Sequence, residues 1–216
     1  MDQLSSILAG ISVNTQSSVR ITDGTRVVYV DPLDIPGAPH DADAVFVTHA
    51  HGDHFSPADI AKTAKDGTVL VLPGTMADRA GEVSGIASVL EVAPDGKYEA
   101  AGIAFETVPA YNRLKPFHPK RNRWVGYVIV MGEARIWIAG DTDATSEAAA
   151  VKCDVALVPV GGTYTMTASE AASLVNRIRP AAAVPTHYGS IVGKAEDGSG
   201  FLSLLNPGIR GELKLC

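Results

Sequence analysis

The chain has 216 residues, 46% of them hydrophobic and 19% charged, the make-up of a packed globular protein and not of a disordered one. A formal charge of -6 and a pI near 5.5 argue against a general nucleic-acid binder, which carries a basic face. No apolar stretch reaches the roughly 18 residues of a membrane span.

The opening segment, MDQLSSILAGISV, lacks the basic start, apolar run and cleavage site of a secretory signal. Only two cysteines occur, Cys153 and Cys216, without CxxC spacing. A disulfide framework is therefore not expected, and the cytoplasm is the natural setting. Cys153 lies among apolar residues and reads as a small buried hydrophobe; Cys216 is terminal and incidental. One domain over residues 1–216 is the expectation at this length.

The first elements are short β-branched runs: SVRIT, then RVVYVDP across the Asp23-Gly24 turn, then AVFVTHA. SPADIAKTAK follows as a helix with Ser56 as N-cap and Pro57 at its first position. TVLVLP reads as a strand, MADRAGEV as a helical turn, and SVLEVAP, KYEAAG and IAFETVP as further strands before a long loop, AYNRLKPFHPKRNR. WVGYVIVM and ARIWIAGD form a hairpin around Gly132-Glu133. TSEAAAVK is helical, DVALVPV a buried strand, and ASEAASLVNRIRP an amphipathic helix stopped by Pro180. AAAVPTHYG is another strand, EDGSGFLSLLN a last helix and GELKLC a closing strand. Many antiparallel-looking strands with helices between some of them predict an α+β fold, two sheets covered outside by helices.

The chemistry is concentrated in THAHGDHF, where the apolar run Ala44–Val47 leads into His49, His51, Asp53 and His54. Side chains two apart on extended backbone point the same way, so His49 and His51 can grip one ion. The turn at Gly52 sends Asp53 and His54 toward a neighbouring position. Imidazoles and a carboxylate suit zinc and also accept manganese or iron. One loop does not complete two metal shells. Asp141 in IWIAGDTD and His187 in AAVPTHYG both follow buried strands, and their shared placement makes them the further ligand candidates.

HAHGDH, GDTD and PTHYG together resemble the metallo-β-lactamase superfamily, with its HxHxDH pattern, strand-end Asp and late His. YVDP, FHPKRNRWVGYVI and DVALVPVGGTYTMTASEAA look like its small stand-alone hydrolases, the L-ascorbate-6-phosphate lactonase-like group. The resemblance runs from about Val27 to Gly189 and implies a four-layer αββα sandwich with metals at one edge of the sheets. It implies His49 and His51 on a first metal, Asp53, His54 and His187 on a second, and Asp141 bridging them. It further implies a metal-bound hydroxide that attacks an ester, lactone or phosphoester, with Asp53 as the catalytic group that orients the nucleophile or takes its proton. Asp31 in YVDP is either an outer partner of a ligand histidine or a turn residue.

One departure stands out. Where the family supplies a third histidine to the first metal, this chain has Tyr111 and Asn112, and His118 follows six residues later. His118 either reaches in from the loop or lies on the surface between Phe117 and Pro119. The basic run Lys115–Arg123 is a solvated surface or an attractor of a substrate phosphate or carboxylate. Thr167 and Glu170 form a capping box, and Tyr164 before them is a candidate substrate contact. His40 reads as exposed. The expected function is therefore a metal-dependent hydrolase of small molecules. The alternatives are a binding protein of the same fold with reduced or lost catalysis, and a di-iron oxidoreductase, which would want an attached electron-transfer domain. An RNA-processing nuclease would need an inserted domain. Oligomeric state is not encoded in these patterns.

Overall fold

The structure, a computed structural model, describes residues 2–215. A six-stranded sheet runs β1 (Ile11–Val13), β2 (Val19–Thr22), β3 (Val27–Val30), β4 (Ala42–Phe46), β5 (Ala64–Pro73) and β6 (Ser88–Val92), in that spatial order. The second sheet has seven strands: β7 (Lys97–Ala100), β8 (Ile103–Pro109), β9 (Val125–Met131), β10 (Ala134–Ile138), β11 (Val155–Pro159), β12 (Ala182–Thr186) and β13 (Arg210–Gly211), again in sequence order across the sheet. Four helices accompany them: α1 (Gln3–Ala9), α2 (Pro57–Thr63), α3 (Ala168–Ile178) and α4 (Glu196–Ser203).

The period-two alternation of buried strands assigns each residue to a layer. In β4, Ala44 and Phe46 face the core between the sheets, while Val45 joins Ile60 of α2, Leu70 and Leu72 on the outer side. In β11, Val155 and Leu157 face inward, while Ala156 and Val158 pack with Ala171 and Val175 of α3 and Phe201 of α4. Strands buried on both faces read as unbroken apolar runs, as these do. The inner core centres on Phe46, Phe105 and Tyr127, with ring centroids 4.9 to 5.9 Å apart. The layers are therefore helix, sheet, sheet, helix, as the αββα expectation required.

Pairing is more parallel than the strand pattern suggested. β3, β4, β5 and β6 run parallel, and so do β10 through β13; only the flanking strands of each sheet are antiparallel. The reason lies in the crossovers, since chain passing over a sheet returns the next strand in the same direction. Both expected hairpins form, with Gly24 at φ +89 and Gly132 at φ +61. The closing strand is shorter and earlier than GELKLC: β13 covers Arg210–Gly211, and Leu215 makes one isolated bridge to Val13. Cys216 lies outside the described residues. TSEAAAVK holds only one 3-10 turn, Ala148–Ala150, and the turn after β5 is a longer 3-10 segment, Gly74–Glu82. The helix α1 was not anticipated; its signal is Asp2, whose side chain accepts from the Ser5 N–H as an N-cap.

Among the described residues, no helix is long and apolar enough to cross a membrane. The carboxyl ends of β3, β4, β10 and β12 lead directly into Asp31, the His49–His54 loop, Asp141 and His187. The fold thus gathers at one edge residues that are more than a hundred positions apart.

Candidate metal centre

After β4 the chain leaves the sheet at Val47, and the loop is fixed from both sides. The Val47 N–H donates to the Val71 carbonyl, the Tyr127 hydroxyl donates to the Val47 carbonyl at 2.7 Å, and the Val125 N–H donates to the Thr48 carbonyl. The histidines therefore start from a backbone pinned to both sheets. His54 N–H and Phe55 N–H both return to the His51 carbonyl, closing the turn that carries Asp53 inward.

Three groups of donor atoms are positioned to hold an ion, each within 4.8 Å of one another: His49, His51 and His118; His49, His54 and Asp141; Asp53, His54 and His187. Asp141 stands between the outer two groups, with Oδ2 at 3.2 Å from His118 Nε2 and at 3.2 Å from His187 Nε2. Its Oδ1 lies 3.4 Å from His54 Nε2. His187 Nε2 is 3.3 Å from Asp53 Oδ2, and His49 Nε2 is 3.1 Å from His51 Nδ1.

All the sequence-predicted candidates for ligation are brought together, His118 among them. The loop 110–124 folds back so that His118 is 1% exposed, not a surface residue. Asn112 does this. Its Oδ1 receives the His118 backbone N–H at 3.1 Å and faces His118 Nδ1 at 2.9 Å, while the Asn112 N–H donates to the His118 carbonyl. Lys115 is turned inward to the carbonyls of Gly162 and Thr165 and to Asp143, and Lys120 pairs with Glu147. The basic run is thus partly consumed by structure. Tyr164 is exposed and edge-on to Phe117 at 4.6 Å. The predicted capping box forms, Thr167 and Glu170 bonding reciprocally. His40 is exposed, its Nδ1 at 2.7 Å from the Ala64 carbonyl.

The outer layer is equally ordered. Asp31 is fully buried at φ +48 and its carboxylate accepts from the Thr48 N–H at 2.7 Å and the Thr48 hydroxyl at 2.6 Å, and faces His54 Nδ1 at 2.7 Å. A strand-ending turn residue would not need that burial. Two contributors escaped sequence reading: Asn112, and Trp124, whose ring lies 4.9 Å from His49, 5.0 Å from His51 and 5.7 Å from His118. Asn112 stood out in the sequence only as a residue found where the family's third histidine is expected, and Trp124 read as the first residue of the WVGYVIVM strand.

Charge is concentrated here. Burial opposes charge on every group, yet Asp141 is held well below the usual carboxylate range by His187 and His54, and Asp53 by the close approach of the His187 and His54 rings. Burial likewise opposes the imidazolium of His187, but Asp141 and Asp53 push its pKa up to about 9; His54 is raised well above its ordinary value by Asp141 and Asp31. His49 and His51 go the other way, because burial and neighbouring histidines favour their neutral form.

The donor set fits a divalent cation. His54 Nε2, His118 Nε2, His187 Nε2 and Asp141 Oδ1 are all buried without a hydrogen-bond partner. A buried polar atom left unpaired costs about 1–3 kcal/mol, so four of them spread over these adjoining donor groups mark a place built for an electrophile.

Residues 11–187 match the family model of the beta-lactamase superfamily domain. The chain belongs to the β-lactamase superfamily. Among its relatives in that superfamily is a UPF0173 metal-dependent hydrolase from Thermus thermophilus, 33% identical over 197 residues covering 86% of each chain. Another, from Aeropyrum pernix, is 32% identical over 202 residues, 85% of this chain and 84% of the other. A proposed metal-dependent hydrolase from Parabacteroides distasonis superposes with a TM-score of 0.79 at 28% identity, over 95% of this chain and 93% of that one. CmlA, a diiron β-hydroxylase from Streptomyces venezuelae, shares the fold at a TM-score of 0.65 and 14% identity, covering 91% of this chain and 47% of its own. This superfamily member is a metal-dependent hydrolase.

Proposed function

We propose that the chain hydrolyses a small ester, lactone or phosphoester at a centre of two divalent cations, zinc in the first place. His49, His51 and His118 would hold one cation, Asp53, His54 and His187 the other, and Asp141 would contact both. The observation that carries this is the placement of Asp141 Oδ2 at 3.2 Å from both His118 Nε2 and His187 Nε2, between two complete triads. Histidine and carboxylate donors suit zinc and also accept manganese or iron. Such a cation, when bound, brings water to ionise near neutral pH and polarises the scissile bond.

The chain's own groups supply the rest. Asp53 keeps 22% side-chain exposure where His54, Asp141 and His187 have 0 to 3%, and His51 is half-buried, so the cleft opens on the Asp53–His51 side. Asp53, ionised across the neutral range, orients the attacking water and takes its proton. Asp31 fixes the ring of His54 and Asn112 that of His118, leaving each Nε2 toward the centre. Beside the centre, Trp124 lines a groove with Tyr111, Lys120, Arg121 and Arg123, a place for an anionic substituent of the substrate.

The test is metal content of the purified chain followed by assay against phosphodiesters, lactones and esters. Two zinc or manganese ions per chain with hydrolysis supports the reading. Iron with redox activity would replace it with an oxidoreductase, and a chain that takes up no metal would be a binding protein. His51→Ala is expected to abolish hydrolysis and to lower metal uptake; full activity in that variant overturns the site.

A further inference from the structure

Hairpin turns belong on the surface, because buried turns strand backbone polar groups. The turn between β1 and β2 is an exception. Gln16, Ser17 and Ser18 are 0%, 3% and 1% exposed, and the turn is closed by Ser18 N–H to the Thr15 carbonyl at 2.7 Å and Asn14 N–H to the Ser18 carbonyl at 2.9 Å. Gln16 takes a left-handed backbone, φ +47, which a side-chain-bearing residue adopts only when its surroundings require it. What holds it there is His187, whose backbone N–H donates to the Gln16 carbonyl at 2.8 Å.

The two residues share a second property. Both amide atoms of Gln16, Oε1 and Nε2, are buried without a partner, and so is His187 Nδ1. The other buried histidines of the centre have an oxygen facing Nδ1: Asp31 at 2.7 Å for His54, Asn112 at 2.9 Å for His118, and the Thr48 hydroxyl at 2.9 Å for His49. His187 alone among these four lacks one, and the unsatisfied amide oxygen of Gln16 lies on the residue already bonded to its backbone.

We propose that Gln16 is the positioning residue of His187: with metal bound, Gln16 Oε1 accepts the Nδ1–H of His187 and fixes the tautomer that presents Nε2 to the cation. The backbone bond sets the two residues side by side, and a rotation of the Gln16 side chain is then required to join one orphan acceptor to one orphan donor. This removes two buried unsatisfied atoms at once, where leaving them apart is costly. Outer partners of this kind orient a ligand ring and raise its basicity. The inference rests on His187 being a ligand, as proposed above.

The experiment titrates zinc against a competing chelator, and records the cobalt spectrum, for the parent chain and three variants. Gln16→Met keeps length and loses the acceptor; it is expected to bind zinc 10–100-fold more weakly and to alter the cobalt spectrum. Gln16→Glu keeps an acceptor and is expected to bind within a few-fold of the parent. Unchanged affinity in Gln16→Met, or equal losses in both variants, overturns the role of Oε1. His187→Ala separates the two readings: if it binds zinc like the parent, the ligand assignment itself fails, whereas loss there with no loss in Gln16→Met overturns the Gln16 inference alone. In the zinc-loaded parent, 15N correlation spectra should show His187 protonated at Nδ1; protonation at Nε2 overturns the proposal without recourse to a variant.

Discussion

Asp31 and His54 are joined by a 2.7 Å contact between a carboxylate oxygen and Nδ1, with both side chains fully buried. Asp31 sits at the end of β3 and His54 in the loop after β4, so parallel pairing of these strands sets the contact. The same carboxylate accepts both the N–H and the hydroxyl of Thr48, so it orients one proposed ligand and the first residue of the histidine loop together. Removing it should act on the centre and on the fold. Asp31→Ala leaves the buried Thr48 N–H unpaired, a cost of about 1–3 kcal/mol in a urea melt of the metal-free chain. Asp31→Asn, which retains an acceptor oxygen but no charge, should lower zinc affinity about 10–100-fold by chelator competition. Parent-like affinity in Asp31→Asn would mean that Asp31 serves the loop alone.

The loop residue His118 admits a direct count. His118→Ala is expected to remove one cation per chain, measured by elemental analysis after equilibrium dialysis. Asn112→Ala should keep the stoichiometry while weakening affinity about 10-fold, because the ring remains but its Nδ1 partner is lost. Unchanged stoichiometry in His118→Ala would take it off the ligand set.

Gly161 follows β11 and packs on His187, and a Cβ there would collide with the His187 carbonyl oxygen. Gly161→Ala should cost about 1–3 kcal/mol by thermal or denaturant melt and weaken metal binding, since His187 must give way. Gly81 is the control, with open space around its missing Cβ. Gly81→Ala should be neutral or stabilising by under about 1 kcal/mol and leave metal binding alone. Equal effects at the two positions would refute the local collision.

Cys153 carries the pH prediction. Burial, with Asp154 nearby, pushes its thiol up to about 12. A free cysteine is about half thiolate at pH 8.5, whereas Cys153 should hold about a thousand-fold less of the reactive form. Alkylation mapped to Cys153 should therefore stay slow in the native chain from pH 7 to 9 and become fast in urea. Rapid native labelling at pH 8 would show the thiol to be accessible and ionised.

The sequence by itself determined the parts of this centre that are local. His49, His51, Asp53 and His54 lie within six positions, and their meeting needs only a strand end and the Gly52 turn. Asp141 and His187 were legible as well, because each follows an apolar run that reads as a buried strand, and the histidine cluster gives that shared placement its meaning. Most strand and helix identities followed from periodicity, which is a property of neighbouring residues; α1, β1 and the short turn in TSEAAAVK did not. Parallel pairing was not legible, since direction depends on how the crossovers pass over the sheet. His118 belongs to the same class. Its burial depends on Lys115 reaching Gly162 and Thr165, and on Asn112 reaching Tyr164 and Asp143, contacts that span 31 to 52 residues. Asp31 reads in sequence equally as a turn or as a partner of a ligand histidine, and Gln16 carries no signal there. Pairing of β3 with β4 places the first against His54, and packing of the two sheets places the second against His187, because hydrogen bonds between distant loops exist only once the strands and layers that carry those loops have come together.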